Sequence, residues 1–101
     1  MDDKYETARV QFFEAVRALA ASAEDIQSRL INASASILPI RIEEFEGDLE
    51  MKLKFARILD LLSPDIDDPA EIAIENAAHM KDESAVVLAD LICDFYYDLM
   101  P

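Results

Sequence analysis

The chain has 101 residues, which is the size of one domain and leaves no room for a second core. Hydrophobic residues make up 52% of it, which is enough for a packed interior. It contains a single glycine and no tryptophan, and a chain so poor in glycine lacks material for the tight turns of an all-β fold. The formal net charge is −13, which argues against nucleic acid and anionic membranes as direct partners, because phosphates are bound through Lys and Arg. We therefore predict that 1–101 forms one all-α domain, a helical bundle of four to five helices.

The negative charge is concentrated in the C-terminal half of the chain. Residues 1–57 carry 11 acidic and 8 basic side chains, a net charge of −3. Residues 58–101 carry 11 acidic side chains and one basic side chain, Lys81, a net charge of −10. Such a field steers cationic molecules, so we expect a basic protein partner to bind the C-terminal half.

Signals for targeting and for redox chemistry are few. Cys93 is the single cysteine, so no disulfide forms within the chain. Residues 1–6 are acidic where a secretory signal is basic and then apolar. No run of about 18 apolar residues occurs, which predicts that no segment spans a membrane. A cytoplasmic location is the simplest expectation.

The N-terminal segment keeps one helical face over more than thirty residues. Its apolar positions are spaced by three and four: Tyr5, Ala8, Phe12, Val16, Leu19, Ala23, Ile26, Leu30, Ala33 and Ile37. Two arrangements fit, one long helix over 3–37 or two helices broken near Ser22, with an N-cap from Ser22 and Asp25. The unbroken phase through Ala23 favours the long helix, about 50 Å in length, which needs a partner helix.

The segment after Pro39 also fits two structures. Residues 48–55 alternate between polar and apolar side chains, which is typical of a strand and allows a short β-hairpin within 40–55, turning at Gly47. The helical interpretation has more support, because 49–62 consists mostly of strong helix formers. Glu50 and Lys54 have the i, i+4 spacing of a helical ion pair. We predict a helix over 49–62.

Two further helices are predicted in the acidic half. Asp68, Pro69 and Glu71 have the order of an N-cap, a first helical residue and a capping-box acid, for a helix that runs to about Met80. A turn follows, and the last helix is predicted from Glu83 to Leu99 with Asp82 as its N-cap. Apolar residues occupy most sides of this last helix, so we expect neighbouring helices to contact it from two sides.

The last helix carries the predicted partner-binding residues. Asp90, Asp94 and Asp98 form a stripe at i, i+4 spacing, and Tyr96, Tyr97 and Glu83 flank it. Aromatic side chains beside charges are typical of interface anchors. Two alternatives remain: the aspartates are a solvated edge of a helix that packs on the N-terminal segment, or the face forms a homodimer.

No pattern indicates catalysis, a metal or a cofactor. Glu75 and His79 are one helical turn apart, but the di-iron bundles use such a pair on two helices. Residues 65–68 resemble the start of a calcium loop, yet the positions for its glycine and last glutamate hold Ala70 and Asn76. Cys93 lies among aspartates that raise the pKa of a thiol, and we expect it to be buried or semi-buried and inert. We predict no enzymatic activity.

The function that fits these features is a small acidic protein-interaction module. It binds a basic protein and blocks or escorts it, as an immunity protein, an antitoxin-like inhibitor or a chaperone does. The alternative is a structural homo-oligomer, assembled as a coiled coil through the long N-terminal helix and kept in solution by its acidic residues.

Overall fold

The chain folds into helices alone over the part that a computed structural model describes, residues 5–63 and 69–100. The five α-helices are α1 (Glu6–Ala20), α2 (Ile26–Ile37), α3 (Leu49–Leu62), α4 (Pro69–Ala78) and α5 (Asp82–Asp98). A single 3-10 turn, Ile42–Phe45, lies between α2 and α3. The all-α prediction is confirmed. The alternative hairpin within 40–55 is wrong, since that segment is the 3-10 turn and the start of α3.

The prediction of one long helix over 3–37 is wrong, because residues 21–25 separate α1 from α2. The Asp25 carboxylate accepts a hydrogen bond from the Ser28 backbone N–H at 2.8 Å and so caps α2. The Arg29 guanidinium donates to the Leu19 carbonyl at 2.9 Å, which satisfies a carbonyl at the end of α1. Two side chains at the start of α2 thus replace helical hydrogen bonds that are lost at the break.

The apolar stripe of the N-terminal segment lies in the chain's own core. Its members are buried along both helices: Ala8, Phe12, Leu19, Leu30, Ala33 and Ile37. α1 packs on α2 and on α5, and α2 also packs on α4. Most of that stripe is therefore covered within one chain, whereas Ala23 is exposed and Val16 and Ile26 are partly exposed.

The predicted bounds of α3, 49–62, are confirmed. Asp48 caps this helix, since one carboxylate oxygen accepts from the Met51 N–H at 3.2 Å and the other accepts from the Tyr5 hydroxyl at 2.9 Å. Burial, followed by the hydrogen bond to Asp48 and the charge of Asp48, raises the pKa of Tyr5. The predicted Glu50–Lys54 ion pair is also present, at 3.3 Å.

α4 and α5 begin and end close to the predicted residues. Pro69 is the first residue of α4, as predicted, whereas the Asp68 cap lies outside the described residues. α4 ends at Ala78, two residues before Met80. Asp82 is the first residue of α5 and not its N-cap. Its carboxylate instead accepts a hydrogen bond from the side-chain amide of Gln27, at 2.7 Å. This hydrogen bond connects the start of α5 to α2.

An aromatic cluster occupies the centre of the core. The rings of Phe12 and Phe95 lie 4.7 Å apart, and those of Phe45 and Phe55 lie 4.9 Å apart, as centroid distances. Phe45 and Phe95 are also in contact, edge to face, at 5.5 Å. These four side chains come from α1, the 3-10 turn, α3 and α5, so the cluster joins four elements and fixes how α5 lies against α1 and α3.

Candidate protein-binding surface

α5 has an inner face that belongs to the core and an outer face exposed to solvent. Ala85, Leu88, Ile92, Phe95 and Leu99 form the inner face, and each is at most 2% exposed. The outer face consists of Glu83, Val86, Val87, Asp90, Asp94 and Tyr97. Val86 and Val87 are each 57% exposed and Tyr97 is 78% exposed. Apolar and acidic side chains therefore alternate on one solvent-facing strip of helix.

The predicted aspartate stripe divides into two parts. Asp90 and Asp94 are exposed, and neither they nor Glu83 forms a hydrogen bond or ion pair with another residue that the structure describes. The Asp98 carboxylate accepts from the Lys54 ammonium at 2.9 Å, which joins α5 to α3. The hydrogen bonds that Lys54 donates to Asp98 and, second, to Glu50 raise the pKa of Lys54. Asp98 thus connects α5 to another helix through an ion pair, whereas Asp90 and Asp94 form no such pair with a residue that the structure describes.

The two tyrosines next to the stripe differ in the same way. Tyr96 is half-buried, and its ring packs on Phe13 of α1 with the centroids 6.1 Å apart. Tyr97 is the more exposed of the two, at 78%. Of the six residues predicted from the sequence, Glu83, Asp90, Asp94 and Tyr97 lie together on the outer face. Tyr96 and Asp98 lie at its edges, facing α1 and α3 respectively.

An apolar groove runs between α1 and α5, beside the outer face. Its volume is about 330 Å³, and Arg29 and Asp90 are its charged residues. The remaining lining is apolar: Val16, Leu19, Ala20, Ile26, Val86, Ala89 and Cys93. Phe13 and Val10 are further exposed apolar side chains of α1, 47% and 54% exposed, and Phe13 packs on Tyr96 of α5. We call the groove with Val10 and Phe13 the α1–α5 groove.

The contribution of α1 to this surface was not predicted from the sequence. The helical stripe explains the residues that α1 buries, and Val10 and Phe13 fall outside that stripe, three residues apart. Such surplus apolar positions on the polar side of a helix were the signal, since single exposed apolar residues are common but adjacent ones indicate an interaction site.

A smaller cleft lies on the other side of α5, against α3. Its volume is about 180 Å³, and it combines charged and apolar side chains: Lys54, Arg57, Asp94, Asp98, Ile58, Leu91 and Phe95. Both signs of charge are present in comparable number, so this cleft has no strong preference for a cation or an anion. The two sides of α5 therefore differ, one being mainly apolar and the other charged.

Cys93 is exposed, so of the two expected environments, buried or semi-buried, the buried one is wrong. It lies in the α1–α5 groove, next to the acidic edge of α5. Partial burial, followed by the charges of Asp90 and Asp94, raises the pKa of this thiol. The predicted direction of the shift is thus present, and the thiolate that a nucleophile needs is disfavoured.

The remaining candidate ligands are dispersed. Glu75 and His79 are both exposed, and among residues 5–63 and 69–100 no three His, Cys, Asp or Glu side chains cluster as a metal would need. The calcium-loop pattern at 65–68 lies outside the described residues. In the same part of the chain no helix has both the length and the hydrophobicity to cross a bilayer.

Comparisons of the chain with protein-family models, with curated proteins and with solved structures give no match. The class that the fold defines is an all-α bundle, and the outer face of α5 with the α1–α5 groove is its candidate functional surface.

Proposed function

We propose that the protein is a small acidic interaction module that binds a basic protein partner through the outer face of α5. The observation that carries this proposal is the combination, on one exposed strip, of unpaired acids with apolar side chains that the fold does not need. Asp90 and Asp94 have no ion pair within the described residues, and Val86, Val87 and Tyr97 are more than half exposed.

The two kinds of side chain have separate roles in such an interface. The acids attract a cationic surface over a distance and align it, which raises the association rate more than the affinity. Tyr97 and the valines supply the apolar area that binding removes from water. Removing apolar area from water is favourable by about 25 cal/mol for each Å². Tyrosine is enriched among the residues that contribute most to the binding energy of interfaces, so we assign the role of anchor to Tyr97.

The α1–α5 groove adds a place for an apolar side chain of the partner. It opens beside Val86 and Asp90, which belong to both the groove and the outer face. A partner whose basic residues contact Asp90 and Asp94 would therefore place a neighbouring apolar residue over the groove. The proposed outcome of binding is that the partner is blocked or escorted, as an immunity protein, an antitoxin-like inhibitor or a chaperone does.

Affinity capture from an extract of the native host tests this function. The bait is the wild-type chain, compared with the double variant Asp90→Lys/Asp94→Lys. A matched control, Glu14→Lys/Glu75→Lys, changes two exposed acids away from α5 and has the same net charge. We expect one basic protein in stoichiometric amount on the wild type and the control, released by high salt and absent from the α5 variant.

Two results contradict the proposal. One is a partner that the α5 variant and the control lose to the same extent, because binding then depends on total charge and not on the outer face. The other is that no basic protein is retained at low salt on the wild-type chain.

A further inference from the structure

The outward side of α3 exposes two leucines that no part of the described fold covers. Leu49 is 70% exposed and Leu53 is 60% exposed, the highest fractions among the described aliphatic side chains. They are four residues apart and therefore lie on one side of the helix, next to each other. A third residue, Ala56, lies beside them and is small. The buried face of α3 is separate and consists of Met51, Phe55, Ile58 and Leu62.

The charge of α3 also differs from that of the rest of the chain. It carries three bases, Lys52, Lys54 and Arg57, against two acids, Glu50 and Asp60. α5 by contrast carries five acids and no base. In a chain of net charge −13, α3 is thus a helix where two copies approach with little repulsion.

Arg57 is a cation whose partner the single chain does not supply. It is exposed on α3, and it forms no ion pair or hydrogen bond within the described residues. Lys52 and Lys54 of the same helix are both paired, with Glu46 and with Glu50 and Asp98. The unpaired cation lies on the same flank of the leucine row as Glu50, since seven residues complete nearly two turns of helix.

We propose that two copies of the chain form a homodimer in which α3 packs antiparallel against α3 of the second copy. A twofold axis between residues 53 and 54 brings Glu50 level with Arg57 of the second copy, because both lie 3.5 residues from it, about 5 Å along the helix. A twofold axis perpendicular to the helices keeps residues of one flank on the same side of the interface. Two symmetric Glu50–Arg57 pairs form.

The leucines fit the same arrangement. Leu53 lies nearest the axis and packs on Leu53 of the second copy. Leu49 lies further out and on the opposite flank from Glu50, offset by about 3 Å along the helix from the small Ala56 of the second copy. A large side chain beside a small one lets the two helix axes approach to the separation of roughly 8–10 Å that is usual for packed helices. Apolar contacts at the centre are thus flanked by charge pairs.

The dimer is weak, and it does not rest on the proposed function. One helix pair buries less than the roughly 1,200 Å² of a stable interface. Each copy also carries a net charge of −13, which opposes association at low salt. The α3 face shares no residue with the outer face of α5. The occupant that the charges favour is nevertheless a second copy, because Glu50 and Arg57 complement themselves under the twofold axis.

Sedimentation equilibrium over a wide range of protein concentration tests the dimer, with a set of charge and apolar variants. Glu50→Arg and Arg57→Glu each place like charges opposite each other and should raise the dissociation constant by more than about tenfold. The double swap Glu50→Arg/Arg57→Glu restores both pairs, keeps the net charge of the wild type, and should restore dimerisation. Leu53→Lys should abolish it.

A matched control is Ile74→Lys on α4, which places a lysine at another exposed aliphatic position. This control should dimerise as the wild type does, and circular dichroism should show the same helix content in all variants. A wild-type monomer at the highest concentration overturns the proposal. So does a double swap that dimerises no better than either single variant.

Discussion

The inner and the outer face of α5 both contain apolar side chains, yet only those of the inner face are explained by the fold. The inner residues are at most 2% exposed and meet the aromatic cluster. The outer face keeps two valines and a tyrosine in water at 57% and 78% exposure. A helix needs one apolar stripe to be held in a bundle. The second stripe of α5 is therefore not explained by folding, and it is the surface that we propose for binding.

The difference between the two faces of α5 is tested most directly by truncating one large side chain on each face. Phe95→Ala leaves a cavity in the aromatic cluster, and we expect it to lower the free energy of unfolding by about 3–5 kcal/mol. Tyr97→Ala, two residues further along the same helix, should change it by no more than about 0.5 kcal/mol. Urea denaturation of both variants measures this. Equal losses would show that the outer face is part of the folded core.

A second test concerns the field that the outer acids create. Because Asp90 and Asp94 contribute to the raised pKa of Cys93, the double variant Asp90→Asn/Asp94→Asn should lower that pKa and increase the thiolate fraction. The rate of alkylation by iodoacetamide near neutral pH, followed by mass spectrometry, should rise several-fold. Glu14→Gln/Glu75→Gln serves as the control, with acids removed elsewhere. An unchanged rate in the α5 variant would mean that burial alone shifts this thiol.

The smallest expected effect separates Asp98 from Asp94. Asp98→Asn removes the ion pair with Lys54 and should lower the stability slightly, whereas Asp94→Asn should not. Urea denaturation at low and high salt measures both, and salt should abolish the difference. A stability loss that is the same for both variants would contradict the division of the stripe.

The pH dependence of that pair has a definite sign. The pKa of Lys54 is raised above its ordinary value of 10.5, so the folded chain holds this proton more tightly than the unfolded chain does. The stabilisation is therefore complete below pH 10.5 and is lost as the pH rises through the raised value. In Asp98→Asn the loss of stability in this alkaline range should be smaller than in the wild type.

Local patterns in the sequence predicted much of the fold. The helix over 49–62 was found because its residues are strong helix formers and Glu50 pairs with Lys54, both of which are properties of neighbours in the chain. The break at 21–25, with its Asp25 cap, was one of the two alternatives considered for this segment, and the long helix was preferred because a short interruption leaves the apolar phase unchanged. Leu19 and Leu30 lie in the same core from two helices, and the phase of the stripe does not distinguish that from a single helix.

The arrangement of the candidate residues was predicted only where their relative positions depend on a single helix. Glu83, Asp90, Asp94 and Tyr97 were found because helical spacing alone places them on one side of α5. Contacts between helices carry no such signal. The pairing of Asp98 with Lys54 spans 44 residues, and the contact of Tyr96 with Phe13 joins α5 to α1. Both depend on how the aromatic cluster orients the helices.

Because Tyr96 and Tyr97 have different surroundings, a fluorescent residue at each position would report on a different part of the surface of α5. The chain has no tryptophan, so a tryptophan placed at either position would be the only indole that fluoresces. At position 97 its emission would respond to a molecule that covers the outer face. At position 96, against Phe13, it would respond to a change at the contact between α1 and α5. The emission wavelengths at these two adjacent positions would thus distinguish a molecule bound on the outer face from a movement of α5 against α1.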